Sequence, residues 1–242
     1  MPAPRRSAIV TGGARRVGRE IVHTLASAGF EVLYTTRGPA TSSPPATPDA
    51  GAITPLSLDI NNLPAAADAL AGEVVSRFAG RLDVLVHNAS AYASGDLATV
   101  TLEQLREMHR VHVEAPVLIT QRLAGFLAAA SGHVVTLLDI TAVDRPMPGY
   151  LAYCASKASL ANVTVSLARA LAPHVTVNGI APGVVDWPDD MQPEDREAYL
   201  LRVPLARAGT PADVARLVRF LVTEGKYITG QILCVDGGRS IV

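Results

Sequence analysis

With 242 residues and 49% hydrophobic content, the chain can bury one large core and has the size of a single α/β domain. Its net charge of −1, with 21 basic and 22 acidic residues interspersed, gives neither the basic footprint of a nucleic-acid binder nor a polybasic membrane patch. Two cysteines far apart, Cys154 and Cys234, match no metal spacing, and no run approaches the ~20 apolar residues of a membrane span, so a cytoplasmic protein with reduced thiols and no metal is expected.

Ser7–Thr11 reads as a short buried strand that runs directly into Gly12-Gly13-Ala14-Arg15-Arg16-Val17-Gly18 and then an amphipathic helix through Ile21, Val22 and Leu25. Strand, glycine turn and helix form a dinucleotide-binding opening, in which backbone N–H groups at the positive end of the helix can approach a pyrophosphate. The middle glycine of the usual pattern is replaced by Arg16, whose guanidinium can point at a phosphate or an acidic heterocycle. Gly29 closes the helix, and a second strand, Glu31–Thr35, ends in Thr36-Arg37-Gly38 with no acid. A carboxylate at that tip would hold the ribose 2′-hydroxyl of NAD; an arginine favours the 2′-phosphate of NADP. Four prolines between residues 38 and 49 predict a surface loop there instead of a crossover helix.

Ile53–Leu58 predicts a third strand ending at Asp59 and Ile60, followed by an alanine-rich helix from Pro64 to Phe78. Asp83–Asn88 predicts a fourth strand, and Thr101 with Gln104 forms a capping-box pattern for a long helix to about residue 129. His133–Leu138 predicts a fifth strand ending at Asp139, and Val175–Ile180 a sixth leading to Pro182-Gly183. The polar span 184–210, with four acids between Asp186 and Glu194, reads as a substrate lid. A helix from Pro211 to Leu221 and a strand from Gln231 to Val235 complete the alternation. The pattern predicts one doubly wound parallel sheet of about seven strands with helices on both faces, ligands binding at the strand carboxyl ends.

Between the fifth and sixth strands lies Tyr153-Cys-Ala-Ser-Lys157. Apolar residues at Leu160, Val163, Leu167 and Leu171 predict a helix, which places the phenol and the ammonium one turn apart on one face. A nearby cation favours the phenolate and would bring the tyrosine pKa down from ~10. Only Lys157 and Lys226 are lysines among the 21 basic residues, so a lysine at this position points to a need for a compact ammonium.

Taken together, Thr11-Gly12 with Gly18, Asn88-Ala89, Tyr153-x-x-x-Lys157, Asn178 with Pro182-Gly183, and Asp236-Gly237-Gly238 resemble the short-chain dehydrogenase/reductase family over the whole chain. Arg16, His87-Asn88-Ala89-Ser90, Asp139 and Lys226-Tyr-Ile-Thr-Gly230 resemble the pteridine and dihydromonapterin reductases within it. The resemblance implies a Rossmann-like reductase moving hydride from NADPH to a C=N bond of a pterin or folate-like substrate, assembled as a homotetramer. Tyr153 would donate the proton, Lys157 would bind the nicotinamide ribose, and Asp139 would replace the family's serine.

The cofactor would lie along Gly12, Arg15, Arg16, Val17 and Gly18, then Thr36 and Arg37, Asp59 and Ile60, Asn88, Ala89 and Ser90, and Pro182, Gly183 and Val185. Arg16, Ser90, Tyr92, Asp139, Tyr153 and Trp187 would meet the substrate, with Asp144 and Asp189 as further candidates. Asp139 precedes Tyr153 by one position more than in the pteridine reductases, which makes Thr141 a rival, and His112 stands where an asparagine usually completes a water relay. An alternative keeps the fold and reduces a ketone, a 3-oxoacyl thioester or a quinone; a third reading is a sensor that binds NADP without turnover.

Overall fold

Strand β1 (Arg6–Val10) is buried on both faces from Ser7 onward, as expected of a central parallel strand covered by helices on each side. The computed structural model describes residues 5–38, 51–142, 146–187 and 191–242. Most of the loop expected over 38–49, together with Asp144 and Asp189, lies outside the described residues.

The other strands are β2 (Phe30–Thr36), β3 (Ile53–Ser57), β4 (Val84–His87), β5 (His133–Leu137), β6 (Thr176–Pro182) and β7 (Ile232–Val235). All pair in parallel in the order β3-β2-β1-β4-β5-β6-β7. The chain winds outward from β1 to β3, returns to β4 beside β1, and then winds outward the other way. This reversal opens a crevice at the carboxyl ends of β1 and β4.

Helices α1 (Arg16–Ser27) and α7 (Pro211–Thr223) cover one face of the sheet, and their core holds Ile21, Val22, Leu25, Val214, Val218 and Leu221. On the other face lie α2 (Leu63–Phe78), α4 (Ala115–Ala130) and α5 (Leu151–Leu171), with Leu70, Val74, Ile119, Leu123 and Leu127 against Ile9 and Leu85. Full burial of each such side chain contributes roughly 1.5–3 kcal/mol. The architecture is the expected doubly wound sheet of seven strands, and most strand bounds fall within one or two residues of the sequence reading.

The predicted long central helix exists, with one interruption. The capping box of Thr101 and Gln104 starts α3 (Leu102–His109), a π-helical turn spans Arg110–Glu114, and α4 follows. Pro116 explains the wide turn: it has no N–H for the carbonyl four residues back, that of His112, and its ring crowds it. By length and composition alone, the stretch Leu102–Ala130 is apolar enough to cross a membrane. Its apolar residues Ala115, Ile119, Leu123 and Leu127 instead face the core. The lid span carries a short helix, α6 (Pro193–Leu200), that its weak periodicity did not reveal.

Candidate active site

Helix α5 places Tyr153 and Lys157 on the face that it buries, together with Cys154, Ser156 and Leu160. The Lys157 ammonium donates to the Leu137 carbonyl at the end of β5 (2.8 Å) and lies 5.7 Å from the Tyr153 ring centroid. Burial pulls the Lys157 pKa down to about 8, with the Asp139 carboxylate acting weakly in the opposite sense. The Tyr153 hydroxyl donates to Oδ2 of Asp139 at 2.9 Å. Burial, followed by the charge and hydrogen bond of Asp139, pushes the phenol well above its ordinary range. This corrects the expectation from spacing alone: desolvation and a carboxylate outweigh the ammonium, which is directed to a backbone carbonyl.

Of Asp139 and Thr141, it is the aspartate that bonds the phenol. Its Oδ1 accepts from the Thr141 N–H (2.9 Å), so the aspartate reaches the phenol while Thr141 supports it from behind. Each carboxylate oxygen retains a further acceptor site.

The π-helical turn sets His112 beneath Tyr153, edge-on at 5.7 Å between ring centroids. Its Nε2 accepts from the Ala91 N–H (3.3 Å) and the Ser90 hydroxyl (2.8 Å), which leaves the proton on Nδ1, facing Ser156 Oγ at 2.8 Å. Ser156 in turn donates to the Tyr153 carbonyl (2.7 Å). Burial, then the Lys157 charge, lowers the His112 pKa to about 2, so the imidazole is neutral and both nitrogens are engaged. It is a fixed brace between the Ser90 loop and α5.

These groups open onto a cleft of about 1270 Å³ that runs along the carboxyl ends of β1, β2, β4, β5 and β6. The glycine turn forms one wall. A side chain at Gly18 would place its Cβ 2.3 Å from the Gly12 carbonyl oxygen and 2.5 Å from Asn88 Nδ2, where there is no room for it. Asn88 Nδ2 donates to the Thr11 and Gly12 carbonyls, and Thr11 Oγ1 accepts from the Asn88 and Ala89 N–H groups, which locks β1 to β4. Helix α1 begins at Arg16 with no side-chain cap and no acid in its first turn. Its orphan N–H groups, with Arg15 and Arg16, are of the kind that could hold an anionic phosphate. Arg16 adopts φ = +51° where a glycine is usual, a strain of about 1 kcal/mol, and its Nε pairs with Asp186 across the cleft at 3.3 Å.

Comparison with known proteins bears on this arrangement. A family model described as enoyl-(acyl carrier protein) reductase matches residues 12–240. The chain belongs to the short-chain dehydrogenase/reductase family. It is 35% identical to a 3-oxoacyl-(acyl-carrier-protein) reductase of Staphylococcus aureus, covering 96% of this chain and 97% of that protein. Against a dihydromonapterin reductase of Enterobacter sp. it is 32% identical, over 99% of this chain and 98% of that one. The crystal structure of an acetoin dehydrogenase from Salmonella typhimurium superposes with a TM-score of 0.86 at 31% identity, covering 98% and 97% of the two chains. The protein is therefore an oxidoreductase, of a family whose members use NAD(P)H.

Most of the residues singled out in the sequence line the cleft of this short-chain reductase: Gly12, Arg15 to Gly18, Thr36, Arg37, Ile60, Asn88 to Ser90, Tyr92, Asp139, Tyr153, Lys157, Pro182, Gly183 and Val185. Two do not. Asp59 Oδ1 accepts from the Asn61 backbone and side chain, while its neighbours Leu58 and Ile60 line the cleft. Trp187 packs edge-on against Tyr199 at 5.7 Å, and it is Tyr199 that reaches the cleft.

Tyr92 stacks on Tyr150 (4.7 Å) and meets Tyr153 edge-on (4.9 Å), which makes an aromatic wall beside the phenol. Cys154 is buried against Met147. Sequence reasoning passed over Met108, Met147, Tyr199, Arg202 and Arg239, which also line the cleft. The Asp236-Gly237-Gly238 turn just before Arg239 was the one available signal.

Proposed function

We propose that this short-chain oxidoreductase reduces a C=N bond of a pterin-type substrate with NADPH. The observation that carries the reading is Asp139 Oδ2 at 2.9 Å from the Tyr153 hydroxyl, on the floor of the cleft. A carboxylate suits the N–H groups of an amidine-like heterocycle, whereas beside a ketone it would oppose the negative charge that develops on the carbonyl oxygen. Tyr92, half-exposed beside Tyr153, offers a ring face for a flat heterocycle.

The residues present fit a nicotinamide dinucleotide. The α1 N-terminus with Arg15 and Arg16 would hold the pyrophosphate, Arg37 the 2′-phosphate, and Lys157 the ribose next to the nicotinamide. Bound there, the cofactor supplies the hydride. Tyr153 and Asp139 share one proton as a unit, and as the carbon gains hydride, that proton passes to the ring nitrogen and closes the new N–H bond. Solvent restores it after product leaves. The 35%-identical Staphylococcus relative favours a second reading, reduction of a 3-oxoacyl thioester or another ketone.

NADPH oxidation measured with dihydrobiopterin, dihydromonapterin and dihydrofolate, against acetoacetyl thioesters and simple ketones, separates the two. Turnover of the ketones alone sinks the pterin reading.

Two further results are expected. Arg37→Ala should raise the KM for NADPH by about tenfold or more and leave NADH nearly unaffected, the loss of one charge-assisted contact; an equal loss for both cofactors argues against the 2′-phosphate contact. The second concerns pH. With Lys157 titrating near 8, its ammonium is present below that pH and lost above it. The kcat/KM for NADPH should therefore fall on the alkaline side with a midpoint near about 8, and Lys157→Arg should remove that limb. A wild-type profile flat to pH 10 would contradict the assignment.

A further inference from the structure

The cleft is also lined by Tyr199, Arg202 and Arg239, a wall that the proton chemistry does not use. The fold places Arg239 there by construction. The Asp236 carboxylate accepts from the Gly238 N–H (2.9 Å) and the Ser240 N–H (2.8 Å), which winds the chain after β7 into a tight turn. Gly238 has φ = +87°, and a Cβ there would lie 3.0 Å from the Pro204 ring, so the turn is pressed onto the segment that follows α6. Leu205 N–H donates to the Gly237 carbonyl (3.1 Å) and ties the two segments. Arg239 is delivered onto the face of Tyr199, 5.8 Å from its centroid.

The charges on this wall are unbalanced. Among the described residues, neither Arg202 nor Arg239 forms an ion pair; on the same cleft Arg16 pairs with Asp186, while Arg15 and Arg37 form none. Arg239 Nε is buried with no hydrogen-bond partner, and its Nη1 only reaches the Val242 carbonyl at 3.5 Å. Arg202 Nε touches the Ala198 carbonyl of α6, four residues back, at 3.4 Å. Of the acids on the cleft among the described residues, Asp139 is engaged by Tyr153 and Thr141, and Asp186 by Arg16, which leaves Glu107. A planar guanidinium without an anionic partner is shaped for a carboxylate or phosphate.

We infer that the substrate carries an anionic group, a carboxylate or phosphate, which Arg239 and Arg202 hold in the same cleft while the bond to be reduced lies at Tyr153 and Asp139. This rests on the reductase reading above and narrows its substrate class. The Tyr199 phenol lies within electrostatic reach of both Arg239 and Asp139, so the cationic wall and the proton-donating pair belong to one chamber. In a pterin substrate the anion would be a carboxylate on a side chain; in a thioester it would be the phosphate of the carrier.

Calorimetric titration of the protein saturated with NADP+ tests this with two matched pairs, dihydrofolate against dihydrobiopterin and acetoacetyl-CoA against acetoacetyl-N-acetylcysteamine. In at least one pair the anionic member should bind about tenfold more tightly or better, as one charge-assisted contact allows. Arg239→Met and Arg202→Met should each cut that ratio several-fold, and Arg239→Lys should retain part of it. If Arg239→Met does not fold, Arg202→Met reads the same ratio. Ratios near one in both pairs, a ratio that both variants leave unchanged, or no binding of any of the four ligands overturns the inference. A ratio seen only with the thioesters keeps the anion site and removes the pterin reading; turnover of dihydrobiopterin with a flat ratio does the reverse.

Discussion

Tyr153→Phe should lower kcat/KM for the reduced substrate by about 10²–10⁴, the usual contribution of a positioned general acid, while NADPH affinity stays at its wild-type value. The substitution removes one oxygen and little else. The phenyl ring keeps its edge contacts with Tyr92 (4.9 Å) and His112 (5.7 Å), and Lys157 keeps its bond to the Leu137 carbonyl. Asp139 loses a donor, which costs about 1 kcal/mol of stability, far too little to unfold a domain of this size. Loss of rate with cofactor binding preserved therefore isolates the proton. A variant that turns over like wild type would show that the proton reaches the substrate by a route that does not include the phenol.

Asp139→Asn should separate the two substrate classes. The asparagine fills the same space, and its carbonyl oxygen can still accept from Tyr153, but the carboxylate charge is gone. For a C=N substrate the expected loss in kcat/KM is about 10²-fold or more, because the group that receives the heterocycle's N–H and shares the phenolic proton has lost its negative charge. For a ketone the loss should be small. The pH dependence has a definite sign.

Asp139 raises the Tyr153 pKa, after burial, and it also supports the Lys157 ammonium against burial. Removing its charge lowers both, so the protonated phenol and the charged lysine are each lost at a lower pH than in wild type. The alkaline limb of kcat/KM should shift downward. A profile that moves upward, or a pterin rate unaffected by the substitution, would exclude Asp139 from the proton-sharing pair.

What could be read from the sequence was local or periodic. Tyr153 and Lys157 share a helix face because a 3.6-residue repeat allows nothing else once α5 is helical. The strand carboxyl ends at Thr36, Asn88 and Pro182 line the cleft because apolar runs bounded by turns mark parallel strands, and the topology of such sheets gathers their ends. The capping box at Thr101 depends on residues three apart. Asp59 shows the other side of this: a strand end is a local property, but the partner of its carboxylate, Asn61, belongs to the turn beyond it.

Only the tertiary structure could decide the contacts between distant segments. His112 braces Ser90 and Ser156, 22 and 44 positions away, through a π turn forced by Pro116. Tyr199, not Trp187, lines the cleft, and Arg239 arrives from beyond β7. The Tyr153 proton is held more tightly than its neighbouring lysine implied, because desolvation is a property of the packed core and of Asp139 brought beside it. Backbone propensity and turn chemistry act over a few residues and are written in residue order; burial, charge proximity and the shape of a cleft exist only once the sheet has assembled.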